Sequence, residues 1–228
     1  MLAQRTSHRE ARAARVAGLY ALTPEIDDTA TLLAKVVAAI DGGAALVQYR
    51  SKTLGAAVRR EQARALGSSR AVRRALFIVN DDAALAAEVD ADGVHLGTDD
   101  GSIAAARARV GTERLIGVSC YDDFERARAA LAAGADYVAF GSFFASQVKP
   151  AACRAGIDLL VRGRQLGVPV VAIGGITAKN ATTLIDAGAS AVAAISDVFA
   201  HDDLAAVTCA AGDIAGLFSR AAAKTRTR

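Results

Sequence analysis

Apolar and polar positions along this chain change period repeatedly. Short apolar runs of about five residues alternate with longer Ala-rich segments that carry helical spacing. The apolar runs lie at 18–23, 45–50, 75–80, 93–96, 115–119, 137–141, 169–173 and 191–195. The helical segments fall near 29–41, 54–67, 82–89, 102–110, 122–133, 153–165, 178–187 and 202–218. The two kinds alternate strictly, eight of each. Inside the runs polar and apolar residues do not alternate, so both faces are expected to be buried, as in parallel strands covered by helices. Unbroken strand–helix alternation predicts a parallel α/β fold. Eight units in 228 residues predict a closed (β/α)8 TIM barrel rather than an open sheet. Gly42, Gly134, Gly167 and Gly188 end helical segments and are expected in the left-handed C′ conformation.

Composition narrows the class. Hydrophobic residues make up 53% and charged residues 22%, which excludes a disordered chain. A domain of this size buries roughly 70% of its extended surface. Cys120, Cys153 and Cys209 have no metal-type spacing and read as small hydrophobes in a reducing compartment. Charge-free runs such as 167–178 are too short to span a bilayer. Arg5, Arg9, Arg12 and Arg15 precede no long apolar core, so a secretory signal is not expected. The net charge of +3 gathers at the two ends. No RNA-binding aromatic signature or basic recognition helix lies between them. The expected organisation is a ragged basic N-terminal extension (1–15), one TIM-barrel catalytic domain (16–219) and a basic C-terminal tail (220–228). The expected setting is cytoplasmic, with small-molecule substrates and neither nucleic acid nor membrane as partner; a homo-oligomer is left open.

In such a barrel, chemistry gathers at the C-terminal ends of the strands, and the polar residues of this chain gather there too. Gln48, Arg50 and Lys52 follow run two at a spacing of two, so they point the same way on an extended strand end. Two cations and an amide facing one mouth call for an anion. Lys149 adds a third cation from the segment after run six. Together they point to a phosphate or pyrophosphate, with Arg50 as a fork and Lys52 as a point charge. Asp81 and Asp100 follow neighbouring runs, and two carboxylates beside cations fit Mg2+ working with substrate phosphates. Asp82 and Asp99 read as helix-start residues. His95 lies inside a strand run and reads as a hydrogen-bonded structural histidine. The Gly174-Gly175-Ile176-Thr177 turn is expected to open a helix and, with Ser196, to offer backbone amides to a second phosphate. No Ser-His-Asp triad accompanies these groups. Two anion sites across one mouth imply two phosphorylated substrates, or one phosphorylated at both ends.

The ordered series of segments around these residues resembles the thiamine-phosphate synthase (thiamine monophosphate pyrophosphorylase) family over about 18–199. The matching blocks are Val47-Gln48-Tyr49-Arg50-Ser51-Lys52, Ile78-Val79-Asn80-Asp81, Ala91-Asp92-Gly93-Val94-His95-Leu96-Gly97 with Asp100, Ile116-Gly117-Val118-Ser119, Gly134-Ala135-Asp136-Tyr137-Val138, the 141–150 loop, Val171-Ala172-Ile173-Gly174-Gly175-Ile176 and Ile195-Ser196. The resemblance implies an enzyme that condenses an aminopyrimidine methyl pyrophosphate with a thiazole phosphate, using Mg2+. It implies Arg50, Lys52, Ser119 and Lys149 as catalytic residues and Asp81 and Asp100 as the metal carboxylates. It implies substrate contacts from Gln48, Tyr49, Arg50, Ser51, Lys52, Asn80, Ser119, Ser146, Val148, Lys149, Gly175, Ile195 and Ser196. The chain departs from the family pattern where Ser146-Gln147-Val148-Lys149 replaces Thr-x-Thr-Lys, at Thr98 and at Tyr49. Val148 is expected to weaken substrate positioning without abolishing catalysis. A related thiazole tautomerase, which uses a pocket histidine, is the alternative; His8, His95 and His201 do not end strands five or six. A non-catalytic barrel that binds a phosphorylated thiazole is the other.

Overall fold

Alternation along each strand sorts side chains between two cores. The computed structural model describes residues 9–145 and 154–226. Its strands are β1 (Gly18–Leu22), β2 (Ala44–Tyr49), β3 (Leu76–Asn80), β4 (Gly93–Leu96), β5 (Leu115–Tyr121), β6 (Tyr137–Phe140), β7 (Val170–Ile173) and β8 (Ala191–Ala194). All are parallel to their neighbours, and β8 pairs with β1 to close the barrel. The strands are followed by α1 (Thr29–Asp41), α2 (Ala56–Ser68), α3 (Ala83–Glu88), α4 (Ile103–Val110), α5 (Phe124–Ala132), α6 (Asp158–Gly163) and α7 (Ala181–Ala187). After β8 come the short α8 (Ser196–Phe199) and the long α9 (Leu204–Arg226). The fold is a (β/α)8 TIM barrel. Its first seven helices match the predicted order, and α8 is additional.

The inner core holds Tyr20, Leu22, Leu46, Leu76, Ile78, Leu115, Tyr137, Ala139, Val171, Ala191 and Ala193. Val47, Phe77, Val94, Ile116, Val138 and Val192 face the helices instead. Each fully buried aliphatic or aromatic side chain contributes about 1.5–3 kcal/mol. Small residues make room for the two inner tyrosines. A Cβ on Gly117 would collide with the Tyr137 ring.

Several helix starts are capped as acids and hydroxyls should cap them. Asp28 accepts from Thr31 N at 2.7 Å, Asp82 from Leu85 N at 2.8 Å, Ser102 from Ala105 N at 3.1 Å and Asp123 from Arg126 N at 3.0 Å. Ser102, not Asp99, therefore caps α4. At the helix ends Gly134, Gly167 and Gly188 have positive φ, as expected. Gly42 does not: its φ is −76°, and the next residue, Gly43, takes the positive value of 103°. Gly42 is needed for a close approach, since a Cβ there would strike the backbone oxygen of Thr208 on α9.

Both ends differ from the expectation. Residues 9–13 are helical, and Ala13 and Val16 pack against the inner core at the foot of the barrel. Arg9 Nε lies 3.1 Å from Asp136 Oδ1. Asp136 is buried and also accepts from Arg107 Nη2 at 2.7 Å and Ile116 N at 2.8 Å. Residues 9–15 are thus a docked floor and not a ragged extension. At the other end α9 runs to Arg226, so 220–226 continue a helix of the domain. Over Leu204–Ala223 its mean hydropathy is 1.2, long and apolar enough to cross a membrane by those criteria alone. Here its Val207, Ala211 and Ile214 are fully buried in the outer core.

Candidate active site

The inward residues of β1–β8 and the loops beyond them enclose a cavity of about 720 Å³ at the C-terminal end of the barrel. The period-two reading of β2 holds. Gln48, Arg50 and Lys52 line the cavity. Tyr49 faces the helices, where its hydroxyl donates to Gln62 Oε1 at 3.0 Å. Ser51 also turns away, donating to Glu25 Oε2 at 3.0 Å. Neither lines the cavity, so the substrate contacts expected of them are corrected: their side chains secure the loop. Two residues the sequence reading missed hold that loop in place. Thr23 Oγ1 accepts from Arg50 N at 2.9 Å and donates back to Arg50 O at 3.2 Å. Glu25 accepts from Ser51 Oγ, from Thr53 Oγ1 at 3.1 Å and from the Lys52 amide.

Asn80, Asp81, Asp100 and Ser119 line the same side. Asp81 has φ 64°, in the left-handed region, which turns the chain sharply at the end of β3. Its carboxylate pairs with Lys52 Nζ. Asp100 Oδ2 accepts from Gly97 N at 2.7 Å. The two carboxylates face each other. Burial pushes the Asp81 carboxyl up, and its hydrogen bond to Asp100 adds to the rise. Burial opposes ionisation of Asp100 too, but the bonds from Asp81 and Gly97 N–H prevail and hold it below the usual range. Such a pair shares one proton when nothing else lies between them. A divalent cation would take the place of that proton. Among the described residues no group of three or more Asp, Glu, His or Cys could hold a metal. Two carboxylates with open positions suit Mg2+, which keeps waters and takes further oxygens from substrate phosphates.

On the opposite side stand Gly174, Gly175, Ile195 and Ser196. The two glycines have φ 106° and 61°. A Cβ on Gly174 would overlap Ser142, and one on Gly175 the backbone oxygen of Ala145. The loop therefore packs beneath the segment after β6, and glycine is required at both positions. It does not open a helix directly, as α7 begins only at Ala181. Instead Asn180 braces it: Oδ1 accepts from Thr177 N at 2.8 Å and Nδ2 donates to Gly175 O at 3.0 Å. Asp197 Oδ2 accepts from Ala178 N at 2.9 Å, tying the loop to α8. Ser196 is the first residue of α8, and it and Asp197 line the cavity. A loop after strand seven beside a short extra helix after strand eight is a recurrent phosphate cradle of this fold.

His95 lines the cavity yet is 7% exposed. Its Nε2 lies 2.9 Å from Ser119 Oγ and its Nδ1 3.2 Å from Tyr137 OH. Burial pulls its pKa down to about 4, so the ring is neutral at pH 7. Of the residues expected from the segment after β6, Ser146, Val148 and Lys149 lie outside the described residues.

The family model for thiamine monophosphate synthase matches residues 19–198. The chain belongs to that family. It is 53% identical over 190 residues to the thiamine-phosphate synthase of Aromatoleum aromaticum, covering 83% of this chain and 91% of that one. It is 53% identical over 204 residues to that of Chromobacterium violaceum, covering 90% and 97%. A solved thiamine phosphate pyrophosphorylase from Pyrococcus furiosus superposes with a TM-score of 0.78 at 32% identity, covering 91% of this chain and 98% of that one. Thiamine monophosphate synthases are enzymes of the transferase class, and the chain is one of them. The matched span runs from β1 to α8, so it includes both sides of the cavity.

Proposed function

We propose that the enzyme joins 4-amino-2-methyl-5-hydroxymethylpyrimidine pyrophosphate to 4-methyl-5-(2-phosphoethyl)thiazole, giving thiamine phosphate and pyrophosphate. One observation carries the reading. A cation-and-carboxylate side and a two-glycine, helix-start side face each other across a single cavity. Two anionic substrates that must meet at their uncharged ends need that layout.

In this reading Gln48 holds the pyrimidine. Arg50, Lys52, Asn80, Ser119 and Lys149 hold the pyrophosphate. Gly175, Ile195 and Ser196 hold the thiazole phosphate. Asp81 and Asp100 hold Mg2+, which when bound neutralises charge on the pyrophosphate. The bond from the pyrimidine methylene carbon to the pyrophosphate oxygen breaks, and its electron pair leaves with the oxygen. The lone pair of the thiazole nitrogen then forms the new carbon–nitrogen bond. No protein nucleophile is needed. What the chain supplies is fixed positive charge and hydrogen-bond donors where negative charge accumulates, which is the largest single catalytic effect in many enzymes. Arg50 is well suited because Thr23 locks its backbone from both sides. Orientation adds to this, since both substrates are held with their reacting ends at the centre of the mouth.

The tautomerase alternative needs a histidine free to take a proton. Both His95 ring nitrogens are engaged and its basicity is depressed, which favours the synthase. The same reading keeps the enzyme cytoplasmic, with small molecules as its partners. Steady-state release of pyrophosphate tests it. Release that requires both Mg2+ and the thiazole phosphate supports the synthase; conversion of a thiazole isomer without pyrophosphate release overturns it.

A further inference from the structure

A line of polar groups crosses the barrel interior along the floor of the cavity. Gln48 Nε2 donates to Tyr20 OH at 2.9 Å. Tyr20 OH lies 3.0 Å from Tyr137 OH. Tyr137 OH lies 3.2 Å from His95 Nδ1, and His95 Nε2 lies 2.9 Å from Ser119 Oγ. The line therefore runs through β2, β1, β6, β4 and β5 in turn, and every member except Tyr137 lines the cavity. The two tyrosines are almost fully buried: Tyr20 is 1% exposed and Tyr137 0%. Around them the inner core is apolar.

Each tyrosine hydroxyl has one hydrogen, and a neutral imidazole has one N–H. Such a line has only two fully satisfied arrangements. In one, every hydrogen points from Gln48 towards Ser119. The Gln48 amide gives a hydrogen to Tyr20, Tyr20 to Tyr137, and Tyr137 to His95 Nδ1. His95 Nε2–H then gives one to Ser119 Oγ. That leaves the Ser119 hydroxyl hydrogen for the cavity, and Gln48 Oε1 as the acceptor at the other end. In the opposite arrangement the amide is turned over, His95 carries its hydrogen on Nδ1, and Ser119 offers the cavity a lone pair. Any mixture either sets two lone pairs against each other or makes one hydroxyl accept from both neighbours and leaves its own hydrogen without a partner in the line, which is costly in an apolar core. The structure has the amide nitrogen on Tyr20, as the first arrangement requires.

An anion beside Ser119 discriminates between the two, because it takes a hydrogen bond from a hydroxyl hydrogen and is repelled by a lone pair. We propose that a phosphate anion bound at Ser119 sets the direction of the whole line, and that the line in turn holds Gln48 with its oxygen toward the cavity. Tyr20, Tyr137 and His95 are then positioning residues for heterocycle choice. An oxygen presented there accepts from an exocyclic amine and disfavours an oxo group at the same place. The pyrophosphate of a substrate thus primes the enzyme to accept the amino form of its own ring. The inference rests on the synthase reading for the identity of that ring, but not for the direction of the line.

The direction is read from the His95 tautomer. Ring-15N spectra of histidine-labelled enzyme are recorded with inorganic pyrophosphate and Mg2+, the His95 signal being assigned by its loss in His95→Gln. The expected result is hydrogen on Nε2. Hydrogen on Nδ1 with pyrophosphate bound, or a tautomer population that pyrophosphate leaves unchanged, overturns the inference. The consequence is read from kcat/KM for the amino-pyrimidine pyrophosphate against its 4-oxo analogue. Tyr137→Phe interrupts the line while keeping the ring, and Tyr20→Phe does so at a second point. Either variant is expected to lower amino-over-oxo discrimination about tenfold or more, with KM for the thiazole phosphate unchanged. Wild-type discrimination in both variants overturns it. Wild-type enzyme that forms no thiamine phosphate defeats the synthase reading alone, because the tautomer measurement needs only pyrophosphate.

Discussion

Replacing His95 by Gln removes a titrating ring from the barrel interior without removing a charge at neutral pH. The folded protein holds His95 down to about 4 from an ordinary 6.5, because burial disfavours the imidazolium. Below about pH 6.5 the unfolded chain takes up a proton that the folded chain refuses until about pH 4. Proton uptake favours the form that binds it, so the stability contributed by neutral His95 is complete above 6.5 and is lost as pH falls through this window. A gap of this size amounts to about 3 kcal/mol in full, and to roughly 2.5 kcal/mol at about pH 4.5. The assay is urea unfolding of wild type and His95→Gln at intervals from neutral pH down to about pH 4.5. Carboxylates titrate in both proteins, so the difference between the two curves isolates the histidine. Wild type should lose roughly 2.5 kcal/mol more than the variant across the range. The levels at neutral pH are not the test, since Gln makes different hydrogen bonds to Ser119 and Tyr137. Parallel curves would refute the burial argument.

Asp81→Asn and Asp100→Asn should each raise the Mg2+ concentration needed for half-maximal rate and cut turnover by about 10²–10³. Unchanged Mg2+ activation in both, with an intact far-UV spectrum, would reject the metal assignment. Gly175→Ala places a side chain on a residue at φ 61° and against the Ala145 oxygen. KM for the thiazole phosphate should rise about tenfold, equivalent to about 1.4 kcal/mol, while KM for the pyrimidine substrate holds; equal effects on both would contradict the two-sided cavity. Arg9→Ala should lower unfolding stability by about 1 kcal/mol with no change in kcat, because Arg9 pairs with Asp136 at the foot of the barrel, away from the cavity. A loss of kcat without loss of stability would show that the floor serves catalysis.

The strand order was legible because a barrel's strands are buried on both faces, and that shows as unbroken apolar runs. The same-face reading of Gln48, Arg50 and Lys52 was legible because alternation is local to one strand. That rule already argued against Tyr49 and Ser51, which entered only with the contiguous family block. Glu25 and Thr23 were not legible, since their partners 26 and 27 residues away are set by how β1 and β2 meet. The Tyr20–Tyr137 contact spans 117 residues and crosses the closed barrel. No period within either strand reveals it. Gly42 and Gly43 exchanged roles for a similar reason. Which of two adjacent glycines turns the chain depends on α9, which arrives about 165 residues later to press on the first.

The most direct measurement is a single-turnover reaction with enzyme in excess, both substrates present, with and without Mg2+. Thiamine phosphate and pyrophosphate are followed in the same quenched samples. Both should appear together, in equal amounts, only with Mg2+. Pyrophosphate without thiamine phosphate, or neither product from folded protein, would contradict it.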